Sequence, residues 1–555
     1  MEHHRLAKYE ALSPFEIKDF LAKAALKTSS TAALTYINAG RGNPNWIATA
    51  PRESFFALGY FALTESKRVQ DLPPGIGGMA RPAGIAERAD TWLQANATLP
   101  GATALAAMLK WTIAHFGFDP DKFVHELVDA INGDNYPVPD RMLVHNEQVV
   151  REYLQWAMCG DPKPEGKFNI YAVEGGTAAM CYIFKSMKSN RLLNPGDTIA
   201  LGVPIFTPYL EMPHLEDFAL NVVDIRAPQE NHFQFTDAEL DKLLDPRIKA
   251  FFVVNPGNPS AIALSDAVIA KIGQILEKRP DLILLTDDVY GTFVPGFRGL
   301  MGAFPYNTIG VYSYSKYFGC TGWRLGTIAV HENNGFDKLI AALPEETLKL
   351  IDKRYGALTL HPREITFIDR IVADSRDVAL NHTAGLSLPQ QAMMMLFSIT
   401  ELMDARKDYQ RGCIGIVKKR VEATIEGLGI DVGKNKHFDY YYGLIDFEFW
   451  MRKYVGEDVV KWVKANVHPL DPVFKLAEDH GIVLLNGSGF DAPAWSVRVS
   501  FANLPDHVYD DIGRAIRSVA AGYARDYESS KAQTDLGAGA PALEGAAVLA
   551  PVKGG

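Results

Sequence analysis

Short apolar runs alternate with amphipathic segments through the middle of the 555-residue chain. Apolar positions recur at helical spacing in Ala178–Arg191 and Asp266–Lys278, which predicts helices there. Strands are predicted at six β-rich runs: Ile170–Val173, Thr198–Leu201, Ala219–Asp224, Ala250–Val254, Leu282–Thr286 and Ile309–Ser313. Strands that alternate with helices are typical of an α/β layer built around a mostly parallel sheet.

The two ends of the chain follow other patterns. A helix is predicted over Pro14–Leu26, where Ser13 and Glu16 have the spacing of a capping box. After Pro389 the pattern indicates long helices and then strands near Tyr440–Phe449, Ile482–Leu485 and Val497–Ser500. This arrangement predicts a separate α+β unit. The Ala-, Gly- and Pro-rich residues from Ala532 onward predict a disordered tail.

Composition and charge narrow the function classes. Hydrophobic residues make up 47% of the chain, which is typical of a globular protein. The 56 basic and 66 acidic residues give a net charge of −10 without a cluster of basic residues, so we expect no nucleic-acid partner. No run approaches the roughly 18 apolar residues that a membrane span needs, and the charged N-terminus is not that of a signal peptide. We therefore expect a cytoplasmic protein with no membrane partner.

The four cysteines show no paired spacing, so neither a disulfide framework nor a cysteine metal site is predicted. No metal is expected. Candidate chemistry lies instead at the carboxyl ends of the predicted strands, because ligands of parallel sheets bind beyond these ends.

Lys316 closes the segment Ser313-Tyr314-Ser315-Lys316, which follows a predicted strand and precedes a Gly-rich turn. A lysine that is desolvated at such a position can act as a nucleophile, although a surface lysine is the ordinary alternative. Ser-x-x-Lys is also a signature of penicillin-recognising serine hydrolases, but their partner motifs Ser-Asp-Asn and Lys-Thr-Gly do not occur here.

Two more strand ends carry polar groups. Asp287 follows the apolar run 282–285, and a buried carboxylate there requires a cation, such as a protonated pyridine nitrogen. The alternative is an Asp that caps the next helix. Asn255 opens the segment Asn255-Pro256-Gly257-Asn258-Pro259, whose two Asn-Pro pairs predict a rigid turn that holds the Asn255 amide at the mouth of the sheet.

Anion sites are predicted at two further places. Glu174-Gly175-Gly176-Thr177 lies between a strand and a helix start and is suited to a phosphate, which Ser313 and Arg324 could also contact. Arg498 lies among apolar residues of a predicted strand, so it needs a buried anion such as a carboxylate, or a local acidic partner. Phe206 could stack on a flat ring or be an ordinary core residue.

The order of these motifs along the chain resembles the aspartate aminotransferase superfamily of fold-type I pyridoxal-phosphate enzymes, over roughly residues 100–520. The resemblance implies an α/β fold in which a large domain with a mostly parallel seven-stranded sheet is joined to a smaller α+β domain. We predict an N-terminal arm with part of the small domain at 1–100, the large cofactor-binding domain at 101–388, the C-terminal small domain at 389–530 and the tail at 531–555.

Pyridoxal 5′-phosphate is the cofactor that the resemblance implies, and the family's site residues transfer position by position. Lys316 matches the lysine that binds the cofactor covalently, Asp287 the partner of its pyridine nitrogen, and Tyr290 and Asn255 the partners of its ring oxygen. Arg498 matches the clamp of the substrate α-carboxylate. The family's phosphate contacts are matched by Gly175, Gly176, Thr177, Ser313, Ser315 and Arg324. Phe206 matches the aromatic residue that stacks on the cofactor ring, and Tyr136 matches a tyrosine that reaches the phosphate across a dimer interface.

Ordinary aminotransferases are shorter than this chain, which has extra residues before Glu174 and between about Glu332 and Pro389. These extra segments, together with the motifs at 12–16 and 38–45, resemble one subfamily in particular, the aspartate β-decarboxylases. The resemblance implies conversion of L-aspartate to L-alanine and CO2, with transamination between aspartate and 2-oxo acids as a side activity. Arg41, and with less support Lys18, are candidates for the substrate's side-chain carboxylate, and Asn255 for a further substrate contact. The subfamily implies a homodimer as the minimal unit and larger assemblies up to dodecamers. A plain aminotransferase and a non-catalytic pyridoxal-phosphate-binding regulator are the alternatives.

Overall fold

The computed structural model describes residues 6–10, 12–32, 35–376, 384–430, 433 and 435–538. Its first part is mainly helical and contains a short strand that pairs with a distant partner and a small hairpin. The elements are α1 (Pro14–Ala32), β1 (Ile37–Asn38), α2 (Thr49–Val69), β2 (Asp71–Leu72), β3 (Ile76–Gly77), α3 (Ile85–Ala95), α4 (Ala102–Phe116), α5 (Pro120–Asn132) and α6 (Val144–Leu154). Helix α1 begins with the predicted capping contacts, since Ser13 and Glu16 each accept a hydrogen bond from the other's backbone N–H.

A central sheet forms the middle of the molecule. Its elements are β4 (Phe168–Val173), α7 (Gly176–Ser189), β5 (Thr198–Val203), α8 (Thr207–Glu211), β6 (Asn221–Arg226), α9 (Asp237–Leu240), β7 (Ile248–Val254), α10 (Asp266–Lys278), β8 (Ile283–Asp287), α11 (Leu300–Ala303), β9 (Thr308–Ser313), β10 (Gly326–His331), α12 (Gly335–Ala341), α13 (Glu345–Tyr355) and α14 (Phe367–Ser375). The seven strands are ordered β4-β10-β9-β8-β7-β5-β6. Strand β10 is antiparallel to both of its neighbours, and the other pairs are parallel.

The six strands predicted in this region are confirmed, and so is the mostly parallel sheet. Strand β10 has no counterpart among the predicted runs. It follows β9 through a Gly-rich segment that contains only the short 3-10 helix Thr321–Trp323, so a prediction based on strands alternating with α-helices misses it. Buried side chains cover both faces of the sheet, which explains why its strands are nearly continuous apolar runs.

The last part of the chain packs helices around a three-stranded sheet. Its elements are α15 (Leu388–Met403), α16 (Asp408–Leu428), β11 (Tyr442–Asp446), α17 (Phe447–Tyr454), α18 (Glu457–Asn466), α19 (Asp471–His480), β12 (Ile482–Val483), β13 (Leu485–Asn486), β14 (Ser496–Ser500) and α20 (Tyr509–Ala538). The sheet is ordered β11-β14-β13, and β12 pairs in parallel with β1 from the start of the chain.

Two predictions for this part are wrong in detail. The strand predicted over Tyr440–Phe449 ends at Asp446, whose side chain accepts a hydrogen bond from the Phe449 backbone and caps helix α17. The predicted tail begins too early, because α20 continues through Ala532 to Ala538; the remaining tail residues lie outside the described ranges. None of the described helices combines the length and the hydrophobicity of a membrane span.

Candidate active site

Lys316 lies just beyond the carboxyl end of β9, and its amine donates a hydrogen bond to the Gly42 carbonyl at 2.9 Å. The loop between β1 and α2 thus reaches the sheet edge. A Cβ atom on Gly42 would lie 3.1 Å from the Lys316 nitrogen and 2.6 Å from the Tyr442 hydroxyl oxygen. Only glycine leaves room for both groups at this position.

Asp287 is the last residue of β8, and its side chain is buried beside that of Lys316. The Tyr209 hydroxyl donates to one carboxylate oxygen at 2.7 Å, and the Val289 backbone N–H donates to the other at 3.2 Å. Burial raises the pKa of Asp287 to about 6, although these hydrogen bonds and the Lys316 charge oppose the rise. The carboxylate is therefore costly to bury as an anion and would be stabilised by a cation bound next to it.

Asn255 and Tyr290 present two more polar groups near this carboxylate. The Asn255 backbone N–H donates to the Asp287 carbonyl at 2.9 Å, and its side-chain oxygen accepts from the Leu264 N–H at 2.9 Å. Its buried side-chain nitrogen has no hydrogen-bond partner. The Tyr290 hydroxyl donates to the Tyr442 hydroxyl at 3.3 Å. An unsatisfied buried amide is expensive, so this donor points to a bound acceptor.

The predicted anion site surrounds the start of α7. Gly175 has a left-handed φ of +94°, and a Cβ there would collide with the Arg324 guanidinium. Gly176 and Thr177 are the first two residues of α7, whose N-terminus favours an anion. Arg324 donates to the carbonyls of Thr321 and Glu174. The Ser313 hydroxyl donates to that of Ser315 at 2.9 Å, beside the same turn.

Arg498 is only 1% exposed and lies in the middle of β14. Its guanidinium donates to the Asn258 side-chain oxygen at 3.0 Å and to the Gly40 carbonyl at 3.1 Å, and it lies over the rings of Tyr442 and Phe490. Its Nε has no hydrogen-bond partner, and no described carboxylate forms an ion pair with it. A buried arginine without an acidic neighbour fits a carboxylate ligand.

Four more predicted residues lie around these groups or on the surface. The ring of Phe206 is partly buried and packs edge-on against Tyr209 and against Phe15 of α1. Lys18 lies one turn after Phe15, 3.8 Å from Asp19, and it contacts none of the groups described above. Arg41 is exposed between the two glycines whose carbonyls bind Arg498 and Lys316. Tyr136 is 75% exposed.

Three residues of this site are absent from the sequence-based prediction. Asn258 belongs to the second Asn-Pro pair, which could have marked it. Tyr209 follows the segment that contains Phe206, but a tyrosine near a strand end is common. Nothing in the sequence marks Tyr442 as a site residue, because it is one of several aromatic residues in a predicted strand.

The arrangement fits pyridoxal 5′-phosphate group by group. The buried Asp287 carboxylate suits a protonated ring nitrogen, the unpaired Asn255 amide suits the ring oxygen, and the start of α7 with Arg324 suits the phosphate. Lys316 supplies a primary amine at the same edge of the sheet, which suits the aldehyde.

Comparisons with known proteins agree with this geometry. The family model described as aminotransferase class I and II matches residues 172–516. The chain is 45% identical over 520 residues to a bifunctional aspartate aminotransferase and L-aspartate beta-decarboxylase of Pseudomonas sp, covering 93% of this chain and 97% of that protein. It is 24% identical to an aspartate aminotransferase of Sulfurisphaera tokodaii, over 58% of this chain and 69% of that protein. The solved aspartate aminotransferase of Rhizobium meliloti superposes with a TM-score of 0.56 at 17% identity, covering 93% and 97% of the two chains.

Proposed function

The chain belongs to the class I and II aminotransferase family, and from this premise we propose that it is a pyridoxal-phosphate enzyme that converts L-aspartate to L-alanine and CO2 and also transaminates aspartate. The observation that carries the decarboxylase over a plain aminotransferase is the 45% identity to the bifunctional relative, which covers 93% of the chain and so includes its extra segments. The geometry of the site supports amino-acid chemistry in either case.

When bound, the cofactor withdraws electrons from the substrate bonds next to the amino group. Asp287 would keep the ring nitrogen protonated, and the Tyr209 hydroxyl would hold the Asp287 carboxylate in place. Asn255 and Tyr290 would bind the ring oxygen, with Phe206 against the ring. Gly175, Gly176, Thr177, Ser313, Ser315 and Arg324 would hold the phosphate.

Lys316 would hold the cofactor aldehyde until the substrate replaces it, and its free amine would then take the proton from the substrate α-carbon. Arg498 would bind the α-carboxylate through its two donor edges, in exchange for the Gly40 carbonyl that it contacts in this structure. Both side chains come from strands or strand ends, so their positions are fixed before substrate binds.

A single substrate test separates the two activities. The enzyme receives L-aspartate without any 2-oxo acid, and CO2, alanine and oxaloacetate are followed over time. Sustained release of CO2 and alanine supports the decarboxylase, whereas one turnover that stops at oxaloacetate supports a plain aminotransferase. Lys316→Ala is the control, because it removes the covalent cofactor bond and both activities with it.

We also propose that Arg41 orients the substrate side-chain carboxylate, because it lies between the two loop carbonyls that reach Arg498 and Lys316. Lys18 is a second candidate, on the helix whose Phe15 packs against Phe206. A tight ion pair would hold the carboxylate charge and oppose loss of CO2, so we expect a loose contact. Arg41→Ala should change the ratio of decarboxylation to transamination more than it changes cofactor binding. An unchanged ratio with lost cofactor would exclude this role.

The proposed assembly is a homodimer, with larger rings of dimers up to a dodecamer. Support comes from exposed apolar side chains on one face of α2, where Phe56, Tyr60 and Leu63 recur at helical spacing, and from the exposed Tyr136. Sedimentation of the native enzyme and of a Tyr60→Glu variant measures the assembly. A monomer that is fully active would contradict the proposal.

A further inference from the structure

Tyr442 is a buried residue at the start of β11 that has no part in the roles proposed above. In the antiparallel pair of β11 and β14, Tyr442 lies opposite Ser500 and is therefore a diagonal neighbour of Arg498 on the same face. The Arg498 guanidinium lies 4.3 Å from the centre of the Tyr442 ring. A substrate α-carboxylate bound to Arg498 would consequently lie beside this ring.

The Tyr442 hydroxyl faces the same small volume as the reactive amine of Lys316. A Cβ atom on Gly42 would be 2.6 Å from the Tyr442 oxygen and 3.1 Å from the Lys316 nitrogen, so the two groups approach one point from different sides. The hydroxyl oxygen accepts a hydrogen bond from Tyr290 at 3.3 Å. Its own proton has no acceptor among the described residues, and it is therefore available to a ligand.

In a substrate held between Arg498 and Lys316, the β-carbon is bonded directly to the α-carbon from which Lys316 takes the proton, so it would lie in the same small volume. Lys316 is already assigned the α-carbon proton, whereas loss of CO2 leaves an electron pair on the β-carbon that needs another proton. Tyr442 is placed at both anchoring points, because its ring lies under the Arg498 guanidinium and its hydroxyl faces the Lys316 amine. Tyrosine is among the side chains that act as general acids.

Building on the proposed decarboxylase function, we propose that Tyr442 is the proton donor to the β-carbon of the substrate. The bond between the β-carbon and its carboxylate breaks, CO2 leaves without the electron pair, and this pair takes the proton of the Tyr442 hydroxyl to form the methyl group of alanine. Water then returns a proton to Tyr442, so one solvent proton is consumed for each alanine. The Arg498 charge beside the ring would stabilise the negative charge that Tyr442 carries in between.

Tyr442→Phe tests the proposal, because it keeps the ring under Arg498 and removes only the hydroxyl. We expect alanine formation from aspartate alone to fall by about 100-fold or more, the scale of general acid catalysis. Transamination with an added 2-oxo acid should fall by no more than roughly tenfold, the scale of one lost hydrogen bond to Tyr290. The visible absorbance of the bound cofactor should be unchanged, which shows that the site is intact.

A second readout does not depend on rates. Aspartate that is stereospecifically deuterated at the β-carbon, converted in tritiated water, gives alanine with a chiral methyl group if one fixed acid delivers the proton. We expect one configuration from the wild type and a mixture from the residual activity of Tyr442→Phe. A mixture from the wild type, or one configuration from both enzymes, overturns the proposal.

Tyr441→Phe is the matched control, since it removes the neighbouring hydroxyl, which donates to the Gly42 carbonyl at 2.8 Å. It should leave the ratio of alanine formation to transamination and the methyl configuration as in the wild type. The outcomes separate the two proposals. If the wild type forms no alanine, the decarboxylase function fails; if it forms alanine and Tyr442→Phe keeps the wild-type ratio, only the role of Tyr442 fails.

Discussion

Asp287→Asn should stabilise the cofactor-free protein while it weakens cofactor binding. In the absence of the cofactor the Asp287 carboxylate is buried with only a hydroxyl and a backbone N–H as partners. Asparagine has the same shape and can keep both contacts, because its oxygen can accept from Val289 and its amide can donate to Tyr209. The substitution therefore removes a buried charge with little change in packing.

The size of the effect follows from the raised pKa. Burial raises the pKa of Asp287 from its ordinary value of 3.8 to about 6, a difference of about 3 kcal/mol. Because the folded protein binds this proton more tightly than the unfolded chain, the free energy of unfolding of the wild type falls as pH rises from about 4 through 6. The asparagine variant has no carboxyl group to ionise at this position, so its free energy of unfolding does not fall in this way. Its advantage should be about 3 kcal/mol at pH 8 and about 1 kcal/mol at pH 4.5.

Urea unfolding of the cofactor-free wild type and Asp287→Asn at both pH values measures this difference. With cofactor present the wild type should be the more stable of the two proteins, since only the wild type supplies an anion to the ring nitrogen. Equal stability of the two proteins at pH 8, or an advantage that does not change with pH, would refute the reasoning. Glu401→Gln is the control: burial raises the pKa of Glu401 to about 7 against the opposing charge of Lys407, and its carboxylate accepts a hydrogen bond from Tyr317. Because Glu401 contacts none of the groups assigned to the cofactor, this variant should also gain stability over the wild type as pH rises, without losing cofactor affinity.

The remaining predictions concern the residues around the substrate position. Arg498→Ala should raise the KM for aspartate by at least about 100-fold, because it removes a desolvated charge from the proposed carboxylate site, while the absorbance of the bound cofactor persists. A KM within a few-fold of the wild type would contradict that role. Gly42→Ala should lower both activities, since its Cβ would lie 2.6 Å from the Tyr442 oxygen, whereas Gly415→Ala, where no atom lies within 4 Å of the added carbon, should leave them unchanged. Equal rates for the two glycine variants would show that the loop adapts.

The central strands were predictable because each one is a short apolar run that ends at a turn. The same regularity placed the polar residues that follow them, so Lys316, Asp287 and Asn255 meet at one edge of the sheet as parallel topology requires. The sequence also indicated the two glycines at the start of α7, since a turn before a helix has a recognisable composition.

Other parts of the site depend on contacts that leave no trace in local sequence. The carbonyls of Gly40 and Gly42 bind Arg498 and Lys316 through the backbone, and any residue has a carbonyl. Tyr442 approaches the site only because β11 pairs with β14, a contact fixed by tertiary packing. The first three residues of helix α17, Phe447 to Phe449, were predicted as strand because aromatic residues favour strands locally, whereas the Asp446 cap starts a helix there.

The pairing of β1 with β12 has a consequence for how the chain is made. Ile37 pairs with Ile482, so a strand from the start of the chain cannot pair until its partner has been synthesised some 440 residues later. The loop that contacts Arg498 and Lys316 directly follows this strand. During synthesis the central sheet emerges complete before β12 does, and it can fold first. The substrate site therefore cannot form until β12 and the strand that carries Arg498 have been synthesised.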